Sequence, residues 1–100
     1  MVGDWNSDGL SKAGLFRQGF LWVLDTNNSH AVDAGDDIFP FGGIAGDVPV
    51  VGDWQGNGRT NPGIFRMGFF WILDTNGNHG IGSAFAFGGV AGDKPVIGKW

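Results

Sequence analysis

The sequence predicts an all-β protein built from two copies of one four-stranded unit, and three features of the chain support this prediction. Residues 2–17 and 51–66 read VGDWNSDGLSKAGLFR and VGDWQGNGRTNPGIFR, and the tracts GFLWVLDTNNSH and GFFWILDTNGNH follow in the same register. Twenty glycines and only 16% charged residues leave little material for helices. Short aromatic and aliphatic runs typical of strands recur, whereas no stretch of about ten residues has a clean helical period.

The length of the repeat narrows the architecture. The spacing is 49 residues from Asp4 to Asp53 and 46 residues from Trp54 to Trp100, which is typical of propeller blades and solenoid units. Four short antiparallel strands in each unit predict a β-propeller blade, with an ordinary sandwich of two hairpin pairs as the alternative. The propeller is favoured because sandwiches rarely repeat their own sequence at this length.

The strands are clearest in the second repeat. The apolar run at about 49–54 is typical of a buried first strand, and the second strand, at about 63–66, follows a polar loop. Met67 and Gly68 are expected to form a two-residue turn because glycine accepts a positive φ.

The third strand of this repeat, at about 69–74, is apolar throughout, which predicts cover on both of its faces. The dipeptide Asn76-Gly77 then predicts a type I′ turn. The fourth strand, at about 80–87, alternates apolar with small residues, as expected for an outer strand.

The first repeat follows the same order. Its predicted strands lie at about 2–5, 14–17, 20–25 and 32–41. Three extra residues near Asp33 and Asp37 fit a bulge or a longer hairpin loop. Blade 1 therefore covers residues 1–50 and blade 2 residues 51–96. Residues 97–100 are an extra copy of the first strand, which either exchanges with a neighbouring chain or frays.

Composition excludes several function classes. The net charge of −4, without a basic run, lacks the electrostatic signature of a nucleic-acid-binding protein. No apolar stretch approaches 18 residues, so membrane insertion is not expected. No nucleophile recurs with a base at a shared spacing, and no phosphate-binding glycine loop opens a helix, so the protein is not expected to be an enzyme. The chain has no cysteine, and the compartment stays unknown.

Two motifs carry a family resemblance over essentially the whole chain. These are GDWNSDG and GDWQGNG after the first strands, and FGGIAGD and FGGVAGD at residues 41–47 and 87–93. The chain resembles the FG-GAP or VCBS-type propeller repeat of bacterial surface proteins and integrin-like heads. The resemblance implies a propeller of several blades with non-enzymatic binding roles, a parent protein at the bacterial surface or outside the cell, and, in some members of the family, calcium in the loop between the first two strands.

The family's calcium loop has the form DxDxDGxxD, and both repeats depart from it. Asp4, Asn6 and Asp8 match the first three ligand positions, but Lys12 stands where the last carboxylate belongs. In the second repeat the matching residues are Asp53, Gln55, Asn57 and Asn61. Because calcium affinity follows the number of carboxylates, the site is predicted to be weak or absent. Asx-turns that hold the loops without an ion are favoured, so no cofactor is expected.

The tryptophans are candidates for core packing and for ligand binding. Trp22 and Trp71 lie mid-strand and are expected between sheets. In lectin propellers, aromatic residues at the rim of the cleft between blades stack on sugar rings. Trp5 and Trp54 end the first strands and are therefore the candidate ligand-binding residues, with a glycan or a protein surface as the ligand.

Paired polar residues in the two repeats are expected to serve the turns. Asp25 and Asp74 end the third strands, where a carboxylate caps a turn, and Arg17 and Arg66 are placed to pair with them across the hairpins. The remaining pairs are expected to be turn formers or solvated residues, namely His30, His79, Asp47 and Asp93.

Two blades cannot close a toroid, since propellers typically have four to eight. The sequence therefore predicts homo-oligomerisation with head-to-tail interfaces, as a trimer of six blades or a tetramer of eight. The favoured function is a self-assembling propeller fragment that binds carbohydrate or protein at its clefts and loops. The alternative is a calcium-dependent cell-surface adhesion module, which a chelator would distinguish.

Overall fold

The chain folds into two four-stranded antiparallel sheets in a computed structural model that describes residues 1–97. The strands are β1 (Val2–Gly3), β2 (Lys12–Arg17), β3 (Leu21–Leu24), β4 (Asp37–Pro40), β5 (Val48–Gly52), β6 (Asn61–Arg66), β7 (Phe70–Leu73) and β8 (Ser83–Ala86). Sheet 1 has the order β1-β2-β3-β4 and sheet 2 the order β5-β6-β7-β8. No helix occurs within residues 1–97, so none of them could cross a membrane as a helix. The prediction of an all-β fold with two four-stranded antiparallel sheets is confirmed.

The central hairpin of each sheet closes through a tight turn. Met67 and Gly68 have φ angles of 56° and 79°, and the Phe69 N–H donates to Arg66 O at 3.3 Å. Positive φ at both central positions is what a type I′ turn requires, and it matches the twist of the strands. The equivalent turn between β2 and β3 has the same features, so the turn prediction is confirmed.

The loop between β7 and β8 is organised by a carboxylate. Asp74 is buried, and its Oδ1 accepts hydrogen bonds from the N–H groups of Asn76, Gly77 and Asn78, while Oδ2 accepts one from His79. Gly77 has a positive φ but Asn76 does not. The type I′ prediction for Asn76-Gly77 was therefore wrong, because side-chain hydrogen bonds hold this segment instead. The capping role predicted for Asp74 is confirmed.

The fourth strands are shorter than the spans 32–41 and 80–87 that the sequence predicted. In sheet 1 the preceding residues bond among themselves: Asp33 accepts hydrogen bonds from the hydroxyl of Ser29 and the N–H of Gly35. The three extra residues of the first repeat thus lengthen the loop before β4. Residues 94–97 form no strand, and the rest of the predicted extra strand at 97–100 lies outside the described residues.

Each sheet has one aromatic face and one aliphatic face, because successive side chains along a strand point to opposite sides. The aromatic faces are Phe16, Trp22, Leu24 and Phe39 in sheet 1, and Phe65, Trp71, Leu73 and Phe85 in sheet 2. The faces called aliphatic are Leu15, Val23 and Ile38 in sheet 1, and Ile64, Ile72 and Ala84 in sheet 2, where Phe70 lies beside them and packs against the same core. The aromatic face of sheet 1 packs on the aliphatic face of sheet 2, in one cluster that contains Trp22 and Ile64.

Trp22 is the centre of this core. Its ring stacks on Phe39 at a centroid distance of 6.1 Å and meets Phe16 edge-on at 5.3 Å. The indole N–H donates to Phe41 O at 2.9 Å, so the fully buried side chain leaves no polar atom unsatisfied. Trp22 is thus the inter-sheet core residue that its position in the third strand predicted.

Candidate functional site: two polar loops and two open sheet faces

The first polar loop places a lysine ammonium among the predicted calcium ligands. Lys12 is buried, and its Nζ donates hydrogen bonds to Asn6 Oδ1 at 2.9 Å, Asp8 Oδ1 at 2.6 Å and Leu10 O at 2.9 Å. Asp4 Oδ1 lies 3.7 Å from the same nitrogen. Calcium loops use the same donor set, which consists of three side-chain oxygens at alternate positions and one carbonyl oxygen two residues further on. Here an ammonium group of the chain itself stands at their centre.

The other hydrogen bonds of this loop hold it in the same conformation. Asp4 Oδ1 and Oδ2 accept the N–H groups of Asp8 and Gly9 at 3.0 and 2.8 Å. The hydrogen bond from Lys12 is the largest cause that lowers the pKa of Asp8. The loop is therefore closed by Asx-type hydrogen bonds and by one internal cation.

The second polar loop is closed by amide groups. Asn61 is buried, and its Nδ2 donates to Gln55 Oε1 at 2.8 Å, as Asn57 Nδ2 does at 3.3 Å. The Asp53 carboxylate accepts the N–H groups of Gly58 and Asn57, and these bonds lower the pKa of Asp53. The predicted ligand positions of this loop are brought together, but their oxygens accept hydrogen bonds from the chain. No group of three or more histidine, aspartate or glutamate side chains within residues 1–97 is placed to hold a metal ion.

The two candidate ligand-binding tryptophans differ in their exposure. Trp5 is buried in the core, its N–H donates to Ala13 O at 3.0 Å, and a Cβ at Gly3 would approach its ring to 2.6 Å. Glycine at that position is what allows the ring to lie against the strand, and Trp5 therefore offers no free face to a sugar. Trp54 is half-buried, so a ligand-binding role for this residue stays a prediction. Trp100 lies outside the described residues.

A histidine joins the two sheets. The His79 ring stacks on Phe39 with 3.9 Å between centroids and 5° between planes, and its Nε2 lies 2.8 Å from Asp37 Oδ2. The expectation that His79 is a solvated turn residue was wrong, because the loop folded around Asp74 carries it onto sheet 1. Its counterpart in the first repeat, His30, is exposed.

A bidentate ion pair joins β6 to the linker between the sheets, because Asp47 directly precedes β5 and lies opposite Arg66 where the β5–β6 ladder continues. Arg66 Nε and Nη2 donate to Asp47 Oδ1 at 2.8 Å and Oδ2 at 2.9 Å. Asp47 Oδ2 additionally accepts the N–H groups of Gly43 and Ile44, which confirms its role as a turn former. The predicted pairing of Arg66 with Asp74 was wrong, since the Asp74 carboxylate is used within its own loop.

The Asp47 pair predicts a pH dependence of stability. The guanidinium of Arg66 is the largest cause that lowers the pKa of Asp47, whose contribution to stability is therefore present above the unfolded value of about 3.9 and lost as pH falls through the lower folded value. We expect Asp47→Asn to cost about 1–3 kcal/mol at neutral pH and progressively less below about pH 4. Urea unfolding of both proteins from pH 7 to pH 2.5 measures this difference. A difference that is constant over the range would contradict the prediction.

The aromatic face of sheet 2 and the aliphatic face of sheet 1 are partly open to solvent, although Phe65, Leu73 and Val23 on these faces are buried. Phe85 is 43% exposed whereas the equivalent Phe39 is 5% exposed, and Leu15 is 46% exposed whereas the equivalent Ile64 is fully buried. Trp71 and Phe85 nevertheless stack at 6.4 Å and 8°, close to the geometry of Trp22 and Phe39. The open aromatic face thus has the shape of the covered one before anything packs on it.

The open aliphatic face of sheet 1 contains a hollow of about 400 Å³. Its lining includes Leu15, Val23 and His30. The equivalent residues of sheet 2 are Ile64, Ile72 and His79. Ile64 and Ile72 belong to the same core cluster as Phe39, and His79 stacks on the Phe39 ring. The hollow therefore corresponds to the place that a phenylalanine fills between the two sheets.

A polar cleft of about 480 Å³ lies where loops of the two sheets meet. Its lining includes Asn6, Asp36, Asp37 and Arg59. Arg59 bridges the loops, because its Nε donates to Trp5 O at 3.0 Å. The sequence predicted carbohydrate or protein binding at clefts between blades and at loops in general, and that role stays a prediction for this cleft.

Comparisons of the chain with protein-family models, with curated proteins and with solved structures find no match.

Proposed function

We propose that the chain is a non-enzymatic, self-assembling β-propeller fragment in which each copy contributes two blades to a closed ring. The observation that carries this proposal is the match between the two open faces and the two faces packed within the chain. The open aromatic face of sheet 2 carries the same residue types as the aromatic face of sheet 1, which packs on sheet 2 within the chain. The open aliphatic face of sheet 1 in the next copy carries the residue types on which such an aromatic face packs. A head-to-tail contact of this kind repeats until the ring closes.

The exposed apolar side chains supply the free energy of association. Phe85, Phe87, Leu15 and Ile38 are all exposed, and full burial of one such side chain contributes about 1.5–3 kcal/mol. Association of two proteins costs roughly 4–15 kcal/mol in lost freedom and side-chain ordering, so several of these residues must be covered together. A preformed aromatic face lowers that cost because its rings are already stacked.

The proposal also sets the ring size and the role of calcium. Propellers typically have four to eight blades, so two-blade chains close as a trimer of six blades or a tetramer of eight. Calcium is not required, because Lys12 donates to the oxygens that would bind it in the first loop. A ring would display the polar cleft several times, so weak carbohydrate or protein sites there would gain avidity.

Light scattering across a dilution series, with and without EDTA, tests the proposal. We expect a mass of three or four times the 10.6 kDa of one chain, unchanged by EDTA. A mass of one chain at every concentration would refute assembly. Dissociation of the oligomer by EDTA would favour the calcium-dependent adhesion module instead.

A further inference from the structure

We infer that the junction between copies is fixed by an ion pair between Arg17 of one copy and Asp93 of the next, an inference that rests on the proposed assembly. Its template is the pair within the chain, in which Arg66 donates two hydrogen bonds to Asp47. Arg66 ends β6 of sheet 2, and Asp47 lies in the linker that follows the outer strand of sheet 1. Asp47 also directly precedes β5 and lies opposite Arg66 where the β5–β6 ladder continues, so the pair joins the second strand of a sheet to the linker that leads into its first strand.

The repeat places the same two groups at the open ends of the chain. Arg17 ends β2 and is equivalent to Arg66, which ends β6 49 residues further along the chain. Asp93 follows β8 and is equivalent to Asp47, which follows β4 46 residues earlier. Arg17 is exposed, and no carboxylate lies within ion-pair distance of it in the part of the chain that the structure describes. The two charges have opposite signs and lie on the two sheets that assembly would bring together.

The linker around Asp93 already has the conformation of the paired linker. Asp93 Oδ2 accepts the N–H groups of Gly89 and Val90, both at 3.0 Å, as Asp47 Oδ2 accepts those of Gly43 and Ile44 at 3.0 and 3.1 Å. Asp93 Oδ1 has no donor within residues 1–97, and the equivalent oxygen of Asp47 is the one that accepts Arg66 Nε. The acceptor oxygens are therefore held as those of Asp47 are, whereas residues 94–97 form no strand like the β5 strand that follows Asp47.

Such a pair would determine how copies meet. Apolar faces alone tolerate sliding, whereas a bidentate arginine–carboxylate pair fixes both distance and orientation. The ion pair thus favours the head-to-tail contact that closes a ring.

Charge reversal at the two positions tests this inference. At concentrations where the wild-type chain is assembled, Arg17→Asp and Asp93→Arg each place like charges at every junction, so we expect assembly at least about tenfold weaker by light scattering. The double variant R17D/D93R restores opposite charges at every junction and should recover assembly. An equal mixture of the two single variants should also assemble, but only into rings with an even number of chains.

A further variant separates the junction from the linker fold. Asp93→Asn keeps an oxygen for the Gly89 and Val90 N–H groups but removes the charge, so it should weaken assembly while circular dichroism and thermal unfolding of the single chain stay unchanged. The inference is overturned if the wild-type chain assembles and the three single variants assemble equally well. In that case the assembly proposal stands, whereas a wild-type chain that is monomeric throughout refutes the assembly itself.

Discussion

Phe85→Glu is expected to convert the assembled protein into folded single chains. In one chain Phe85 is 43% exposed, so a carboxylate there remains hydrated and the fold is retained. At a junction the same position corresponds to Phe39, which is 5% exposed beneath sheet 2. Burying an unpaired charge costs several kcal/mol, and the proposed ring would contain one such site at every junction. We expect light scattering to show one-chain mass at concentrations at least about a hundredfold above those that assemble the wild-type chain.

Met67→Glu is the matched control for that experiment. It adds the same charge at a position that is 67% exposed, in the turn between β6 and β7. The equivalent Gln18 is exposed although sheet 2 covers the aromatic face of sheet 1, so position 67 is not expected to be buried at a junction. Met67→Glu should therefore assemble like the wild-type chain. Loss of assembly in both variants would mean that the added net charge, and not its position, prevents assembly. Assembly of both variants would show that the aromatic face of sheet 2 is not the interface.

The repeat made the two sheets predictable because glycine and aspartate bound each strand and apolar runs fill it. The fourth strands were overestimated, since residues that look like strand, such as Val32, lie in a loop closed by side-chain hydrogen bonds. The open faces could not be recognised from either repeat alone. Phe39 and Phe85 occupy the same position in their repeats, and only the place of each sheet in the stack makes one buried and the other exposed.

The polar contacts were less predictable than the strands. Arg66 was expected to pair with Asp74 across the hairpin of β6 and β7, but Asp47 lies opposite Arg66 where the ladder of β5 and β6 continues beyond Val48 and Phe65. His79 was expected in solvent because the path of the loop around Asp74 was not known. The repeat itself was the available sequence signal for contacts between copies. Under the proposed assembly, a contact made once within the chain is made again between copies by the equivalent residues of the two repeats. For Lys12, the sequence placed it at the last ligand position, but only the structure shows its Nζ among the oxygens.

Lys12→Asp is expected to make the stability of the first loop depend on calcium. Without metal, the new carboxylate joins Asp4 and Asp8 around one point, and the repulsion among them should lower the Tm below that of the wild-type chain. With calcium, three carboxylates, Asn6 Oδ1 and Leu10 O can act as ligands, which is a donor set that calcium loops use. At a free calcium concentration 100 times the Kd, binding stabilises the folded chain by about 2.7 kcal/mol. Tryptophan fluorescence melts in EDTA and in millimolar calcium measure the difference.

Two further variants decide whether the response depends on the carboxylate count. Lys12→Met removes the ammonium group without adding an oxygen ligand, so it should lose stability in EDTA and recover none of it with calcium. Asn61→Asp in the second loop gives only two carboxylates, with Asp53 as the other, and its Tm should rise less with calcium than that of Lys12→Asp. The order of response should therefore be Lys12→Asp, then Asn61→Asp, with no response from Lys12→Met or from the wild-type chain.

A Tm of the wild-type chain that rises with calcium would contradict this account of the loop. It would mean that the metal displaces the Lys12 ammonium from Asn6 and Asp8, although these are hydrogen bonds of 2.9 and 2.6 Å from a buried side chain. A buried ammonium without acceptors is costly, so displacement requires Lys12 to swing out to solvent. Calcium would therefore have to break the Lys12 hydrogen bonds and move the side chain out of its buried position, which is why we expect the Tm of the wild-type chain not to change with calcium. This cost also explains how a lysine at the position of a ligand can close the loop at every calcium concentration, since its cation is covalently part of the chain.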